Sequence, residues 1–231
     1  MPNTDNQLIA ALPRKDRERL LASCENIDLV LTETLCERGE RVRYVFFPTQ
    51  SFISLIAKVE DHPGLEVGMI GREGVLGAQQ MLGELYAPLK AIVQGPGPCL
   101  RLSSAAFRRE LALSSALQMQ MNRYLGMRMA QLATSSACLR FHLIAPRLAR
   151  WLLMSQDRAQ MDNFRVTHEF LAFMLGVRRV GITSAAGGLQ RAGLIEYHRG
   201  ALRVLDRSGL EAAACSCYAD DRKAYSDAFS V

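Results

Sequence analysis

The chain has 231 residues, 28 of them basic and 23 acidic, with a formal net charge of +5 and 49% apolar residues. That apolar share excludes a disordered or collagen-like chain, and the length predicts one large domain or two modest ones, each able to bury a core. The mild basic excess fits a nucleic-acid binder, a membrane-surface protein or an enzyme alike, so its placement has to decide.

Met1 to Ala11 lacks a basic start followed by an apolar core, and Pro13-Arg14-Lys15-Asp16 interrupts any continuation, so no signal peptide is expected. No apolar run approaches the roughly 18 residues that span a bilayer. The expectation is a cytoplasmic protein with no membrane partner, its cysteines Cys24, Cys36, Cys99, Cys138, Cys215 and Cys217 reduced. Residues 4–24 read as a short helix, with Leu8, Leu12, Leu20 and Leu21 apolar around the charged stretch Arg14 to Arg19.

From Asp28 to about Leu102 short apolar runs alternate with turns: Leu29-Val30-Leu31, Val42 to Phe47, Phe52 to Ile56, Leu65 to Ile70, Ala91 to Val93 and Cys99 to Leu102. Their separators, Glu37-Arg38-Gly39-Glu40, Asp61-His62-Pro63-Gly64, Gly71-Arg72-Glu73-Gly74 and Gly95-Pro96-Gly97-Pro98, carry the glycine or proline that reverses a chain. Many short strands with tight turns predict an antiparallel roll or barrel. After Ser103, a candidate cap, the pattern turns helical, and proline is absent until Pro146. Leu111 to Cys138 would form a helix of about 40 Å at 1.5 Å per residue. Leu113, Leu117, Met121, Tyr124, Met127 or Arg128, and Gln131 fall near a three-four spacing. That face is expected to pair with a second copy of the chain, packing on its own roll being the alternative.

Past His142, Arg147 to Leu153 read as a helix and Ser155 to Asn163 as a polar break. The run from Thr167 to Ser184 then fits a helix-turn-helix. Thr167 caps the first helix, Glu169 sits near its positive end, and Gly176 supplies the left-handed residue of the turn. Ile182, Ala185 and Leu189 would seat the second helix, leaving Arg178, Arg179, Thr183 and Ser184 outward at its start, where a recognition helix meets the major groove. Thr167 and His168 join them as candidate DNA contacts. Gly193 to Val204 reads as a hairpin around His198-Arg199-Gly200, a wing whose Arg199, with Arg203, reaches phosphates. Between residues 165 and 203, Arg165, Arg178, Arg179, Arg191, Arg199 and Arg203 stand against Glu169 and Glu196 alone, so the basic excess gathers where DNA would lie. Gly181, Gly187 and Gly188 weaken the second helix by up to about 1 kcal/mol each relative to alanine, which keeps a protein-interaction module open as the alternative. Cys215-Ser216-Cys217 is placed in a helix, where residues two apart point about 200° from each other, a poor metal clamp.

The order of roll, long helix and winged helix resembles the CRP/FNR family of bacterial transcription regulators over nearly the whole chain. The likeness is carried by Phe46-Phe47-Pro48, by Gly71 to Gly77, by Arg147-Leu148-Ala149-Arg150-Trp151-Leu152-Leu153, and by the helix-turn-helix with its Gly193-Leu194-Ile195 entry to the wing. The resemblance implies a homodimer on a palindromic double-stranded DNA site, with RNA polymerase as a further partner. Cyclic-AMP-binding members place an arginine and a small residue against the cyclic phosphate, whereas Tyr86 to Gln94 has no arginine. Lys90 offers a point charge without arginine's planar fork. With Gly71, Arg72, Glu73 and Gly74 it forms the candidate ligand set, and Thr134-Ser135-Ser136 lies near where some members touch the purine. Iron-sulfur members cluster cysteines near the amino terminus, where only Cys24 and Cys36 stand here, and His62, His142, His168 and His198 suggest no haem pocket. Cys99 or Cys138 stays open as a redox switch, inert burial being the alternative. Where the cyclic-AMP branch follows its first reading arginine with glutamate, this chain has Val180 after Arg179, so its operator should differ.

The resulting expectation is an α+β chain: an antiparallel β-roll sensor over residues 1–110, a dimerisation helix over 111–141 and a winged helix-turn-helix over 142–231. It would be a sequence-specific transcription regulator whose roll takes an unknown ligand or none, a cyclic-nucleotide response being the alternative. No His-Glu-x-x-His, Gly-x-Ser-x-Gly or phosphate loop is present, so no enzyme, no metal and no cofactor are expected.

Overall fold

Pro13 has no amide hydrogen to donate, and it divides the first expected helix into two. The computed structural model describes residues 6–229, so residues 4 and 5 of that expectation lie outside the described residues. Helix α1 covers Gln7–Ala10 and is capped by the Asn6 side chain, which accepts from the Ile9 amide. Helix α2 covers Arg14–Ala22. The described residues divide into two compact units, one of residues 6–55, 69–130 and 224–229, the other of residues 56–68 and 131–223.

In the first unit β1 (Glu25–Leu29), β3 (Tyr44–Pro48) and β7 (Gly97–Ser103) form an antiparallel sheet with β7 in the middle, Ile27 opposite Cys99 and Phe47 opposite Leu100. A second sheet has the order β2 (Thr34–Cys36), β6 (Lys90–Gly95), β4 (Phe52–Ala57) and β5 (Leu65–Ile70). The apolar runs at Phe52 and Leu65 are strands as expected. The run Leu29-Val30-Leu31 is not: Val30 and Leu31 are exposed, and the strand lies earlier, on a mostly polar segment aligned by its pairing with β7.

Helix α3 (Ser104–Leu113) follows, with Ser103 accepting from the Ala106 amide as its cap. The expected continuous helix from Leu111 breaks at Ser114, whose hydroxyl takes the Leu117 amide and starts α4 (Ser115–Phe141), 27 residues long. The face assigned to a second copy is buried within this chain except at Leu113, which ends α3 exposed. Leu117, Met121, Tyr124 and Met127 pack with Val45, Phe47, Leu100, Leu102 and Phe107 in one core. The three-four spacing marked an apolar face correctly; the roll beside it claims that face. Elsewhere along α4, Met119, Met129, Leu132 and Leu139 are exposed.

In the second unit α5 runs Ile144–Ala159, longer than the expected Arg147 to Leu153, and ends where Gln160 turns left-handed. Strand β8 (Asn163–Arg165), starting at the last residue of what read as a polar break, joins a three-stranded sheet in the order β8, β10 (Ala201–Val204), β9 (Ile195–His198). Between them lie α6 (His168–Leu175) and α7 (Arg179–Arg191). Leu148, Leu152, Leu171, Ile182, Ile195, Leu202 and Leu210 are all buried. Helix α8 (Arg207–Ala213) and α9 (Cys217–Phe229) close the chain. The Cys215-Ser216-Cys217 pair is not within one helix as expected: Cys215 lies in the link between α8 and α9, and Cys217 opens α9.

Candidate nucleic-acid interface

The local chemistry of residues 166–200 sets the geometry of the helix pair. Thr167 Oγ1 accepts the Phe170 amide 3.1 Å away, capping α6. At the far end Gly176 adopts φ +64, and the Gly176 and Val177 amides close back onto the Phe173 and Ala172 carbonyls. Only a residue at ease in the left-handed region ends a helix this way. The chain then enters α7 at 108° to α6, within the range of about 90–120° for a helix-turn-helix.

At the start of α7, Arg178, Arg179, Val180, Thr183 and Ser184 are exposed, while Ile182, Ala185 and Leu189 are buried beneath. Both halves of that division match the sequence expectation. Gly181 permits close packing against α5, since a methyl there would sit 2.6 Å from Ile144 Cδ1. Gly188 faces open space.

His168 and Thr183 are brought together rather than set side by side on a surface. Thr183 Oγ1 lies 3.0 Å from His168 Nδ1 and donates to the Arg179 carbonyl at 3.2 Å. With its one hydrogen engaged, the threonine oxygen accepts from the imidazole Nδ1–H. The ring stacks on Tyr197 of the wing, centroids 4.6 Å apart, and Tyr197 anchors to the Val166 carbonyl through its hydroxyl. Burial, and then the charge of Arg179, hold the imidazole below its ordinary 6.5. His168 thus braces α6, α7 and the wing.

Arg199 and Gly200 form the two-residue turn of the wing at φ +48 and +82, with His198 opposite Ala201. This is a type I′ arrangement, in which an arginine at the first position is unusual because asparagine, aspartate and glycine tolerate positive φ better. Arg199 and Arg203 are exposed.

The candidate ligand residues of the roll are occupied internally. Glu73 Oε1 accepts the Gly71 amide at 3.0 Å, and the Arg72 carbonyl accepts the Gln7 amide at 2.7 Å. The Gly74 carbonyl takes Asn6 Nδ2, and a methyl on Gly74 would lie 2.6 Å from the Tyr124 hydroxyl. Lys90 Nζ is 2.6 Å from Glu37 Oε1. Of Thr134-Ser135-Ser136, Ser136 bonds back to the Leu132 carbonyl and Ser135 accepts from Arg150. Burial pushes the Cys24 thiol up to about 12, the Cys36 thiol to about 11 and the Cys99 thiol higher still, so these are inert. Cys138 is the exception, held low by a hydrogen bond from Cys215 and, more weakly, by His142 and Cys217. Sequence reasoning missed that meeting of four side chains, although Cys138-x-x-x-His142, one helical turn apart, was a readable half of it.

The Crp-like helix-turn-helix domain model matches residues 146–213. A CRP/FNR-family protein from Eubacterium rectale has a similar structure, with TM-score 0.69, 13% identity, and 89% of this chain and 96% of that one covered. FixK2 from Bradyrhizobium japonicum gives 0.66 at 11% identity, over 83% of this chain and 98% of that one. The chain carries a Crp-like helix-turn-helix domain and shares the fold of these CRP/FNR-family structures. A third CRP/FNR-type structure, a CRP-family transcriptional regulator from Thermus thermophilus, gives 0.67 at 20% identity over 81% of this chain and 96% of that one. No curated protein matches this chain in sequence. Among the described residues, no single helix is long and apolar enough to cross a membrane.

Proposed function

We propose that this CRP/FNR-type chain is a homodimeric, sequence-specific DNA-binding regulator of transcription, its reader being residues 142–231, its dimerisation helix 111–141 and its sensor roll 1–110. The exposed set Arg178, Arg179, Thr183 and Ser184 at the first turns of α7 carries the reading, because a helix laid in the major groove presents those positions to base edges. Arginine engages guanine O6 and N7 together, for about 1–3 kcal/mol of discrimination. Val180, 73% exposed beside it, offers methyl groups to a thymine. Thr167 and Arg199 contact phosphates, His168 positions α7, and RNA polymerase is the further partner. Such a protein works in the cytoplasm and catalyses nothing.

Because Lys90 pairs with Glu37 and the Gly71 turn with its own Glu73, the roll is read as responding to no cyclic nucleotide. Exposed Met129, Leu132 and Leu139 on the carboxy-terminal half of α4 are read as the face that meets the second copy.

Selection from a randomised duplex pool tests the DNA reading. It should return a two-fold symmetric site with half-sites about 34 Å apart. Arg179→Ala should bind that site roughly 5- to 150-fold more weakly, close to its affinity for random DNA. Equal affinity of the unaltered protein for every duplex would overturn the reading.

A further inference from the structure

Four metal-ligating side chains from two stretches of chain converge in the second unit: Cys138, His142, Cys215 and Cys217, with their ligand atoms all within 4.8 Å of one another. Cys138 lies on the last turn of α4, and the His142 amide donates to its carbonyl at 3.1 Å, so the two side chains stand one helical turn apart on one side. Cys215 is held in the α8–α9 link by its amide, which donates to the Pro146 carbonyl, and Cys217 follows as the first residue of α9. Because Cys215 is not helical, the pair escapes the divergence that a helix imposes on residues two apart.

The spacing fits one ion. Cys138 and Cys215 Sγ are 3.6 Å apart, and Cys217 Sγ is 3.5 Å from His142 Nδ1. A tetrahedral zinc with bonds of about 2.3 Å to sulfur and 2.0–2.1 Å to nitrogen sets its ligands about 3.8 Å apart for two sulfurs and about 3.5 Å for sulfur and nitrogen. A disulfide requires about 2.05 Å, and it would leave Cys217 and His142 without a role. All three cysteines are buried, at 2%, 7% and 5% exposure. Three thiolates on a dication leave one net negative charge. Arg150 supplies a nearby compensating cation: it bonds Ser135 at 3.4 Å, pairs with Asp221 at 2.6 Å and is attracted to both Cys138 and Cys215.

We propose that Cys138, His142, Cys215 and Cys217 form a closed, four-coordinate site for a soft divalent cation, zinc above all, which ties the end of α4 to the α8–α9 link. Three thiolates and an imidazole select zinc over magnesium or calcium, and a closed set of four protein ligands makes the site structural rather than catalytic. Each thiol releases its proton to solvent as it binds. Nothing here depends on DNA recognition.

Metal content of the full chain, purified without chelator, tests this. Roughly one zinc per chain is expected, released by a thiol-modifying mercurial. Cobalt(II) added to chelator-stripped protein should give the intense visible bands of a tetrahedral ion and a thiolate charge-transfer band, and zinc should quench both. Cys215→Ser with Cys217→Ser should abolish the spectrum, and Cys99→Ser should leave it intact. His142→Cys should keep binding and strengthen the thiolate band. Since the double variant could fail to fold, cobalt titration of the stripped, unaltered chain decides by itself. No tetrahedral spectrum there, or a Cys138–Cys215 disulfide in metal-free protein purified under reducing conditions, would overturn the site.

Discussion

Arg199 shows how one side chain can be set against its own backbone. A non-glycine residue at φ +48 is disfavoured, and strain of this kind gathers where a side chain has work to do. Replacing Arg199 by asparagine separates fold from charge, since asparagine suits the first position of a type I′ turn. Arg199→Asn should unfold at the same or a higher urea concentration than the parent, yet weaken binding to all duplexes alike and lower the salt slope by about one. His168 makes the opposite case, a polar residue turned inward. Its Nε2 is buried without a hydrogen-bond partner, so a second proton would create an unpaired donor beside Arg179. The depressed folded value means that the unfolded chain takes up the proton first as pH falls. His168 therefore contributes stability that is fully present above pH 6.5 and is lost as pH falls from there through the lower folded value. Urea midpoints measured on the acid side of pH 6.5 should fall less steeply for His168→Gln than for the parent.

Helix α7 carries glycines that look alike in sequence and differ in structure. Gly181 lets α5 approach, whereas Gly188 has nothing within 4 Å, so Gly188→Ala should raise stability by up to about 1 kcal/mol. Thermal unfolding would register it, and an unchanged or lower midpoint would count against an unobstructed helix there. In α4 a buried apolar stripe is followed by an exposed one in the carboxy-terminal half, and the sequence period finds stripes without saying what covers them. The buried one belongs to the roll, and the exposed one is the candidate for a second copy. Met129→Glu, at a position 72% exposed, should reduce the light-scattering mass from two chains to one while leaving the far-ultraviolet spectrum unchanged. Strands with apolar runs, such as Phe52–Ala57 and Leu65–Ile70, were legible because burial demands those runs. Those at Glu25, Thr34 and Asn163 were not, because their pairing is imposed by a neighbour's free backbone groups.

Across the whole chain, legibility tracked sequence separation. The helix-turn-helix was readable in detail because its cap, its turn glycine and its seating residues lie within 23 positions, from Thr167 to Leu189. The cysteine cluster was not, since Cys138 and Cys215 meet across 77 residues. The roll's likeness to its solved relatives likewise lies in its path rather than in its side chains, at identities of 11–20%. Glu73 bears on what such a roll can sense. Its carboxylate is already joined to the turn that would otherwise greet an anion, and a group tethered to its site competes at an effective concentration of millimolar or more. A free phosphate or nucleotide present at micromolar levels thus meets a resident competitor that never diffuses away. Sensitivity to such a molecule could evolve here by one substitution at position 73, before any new contact is built.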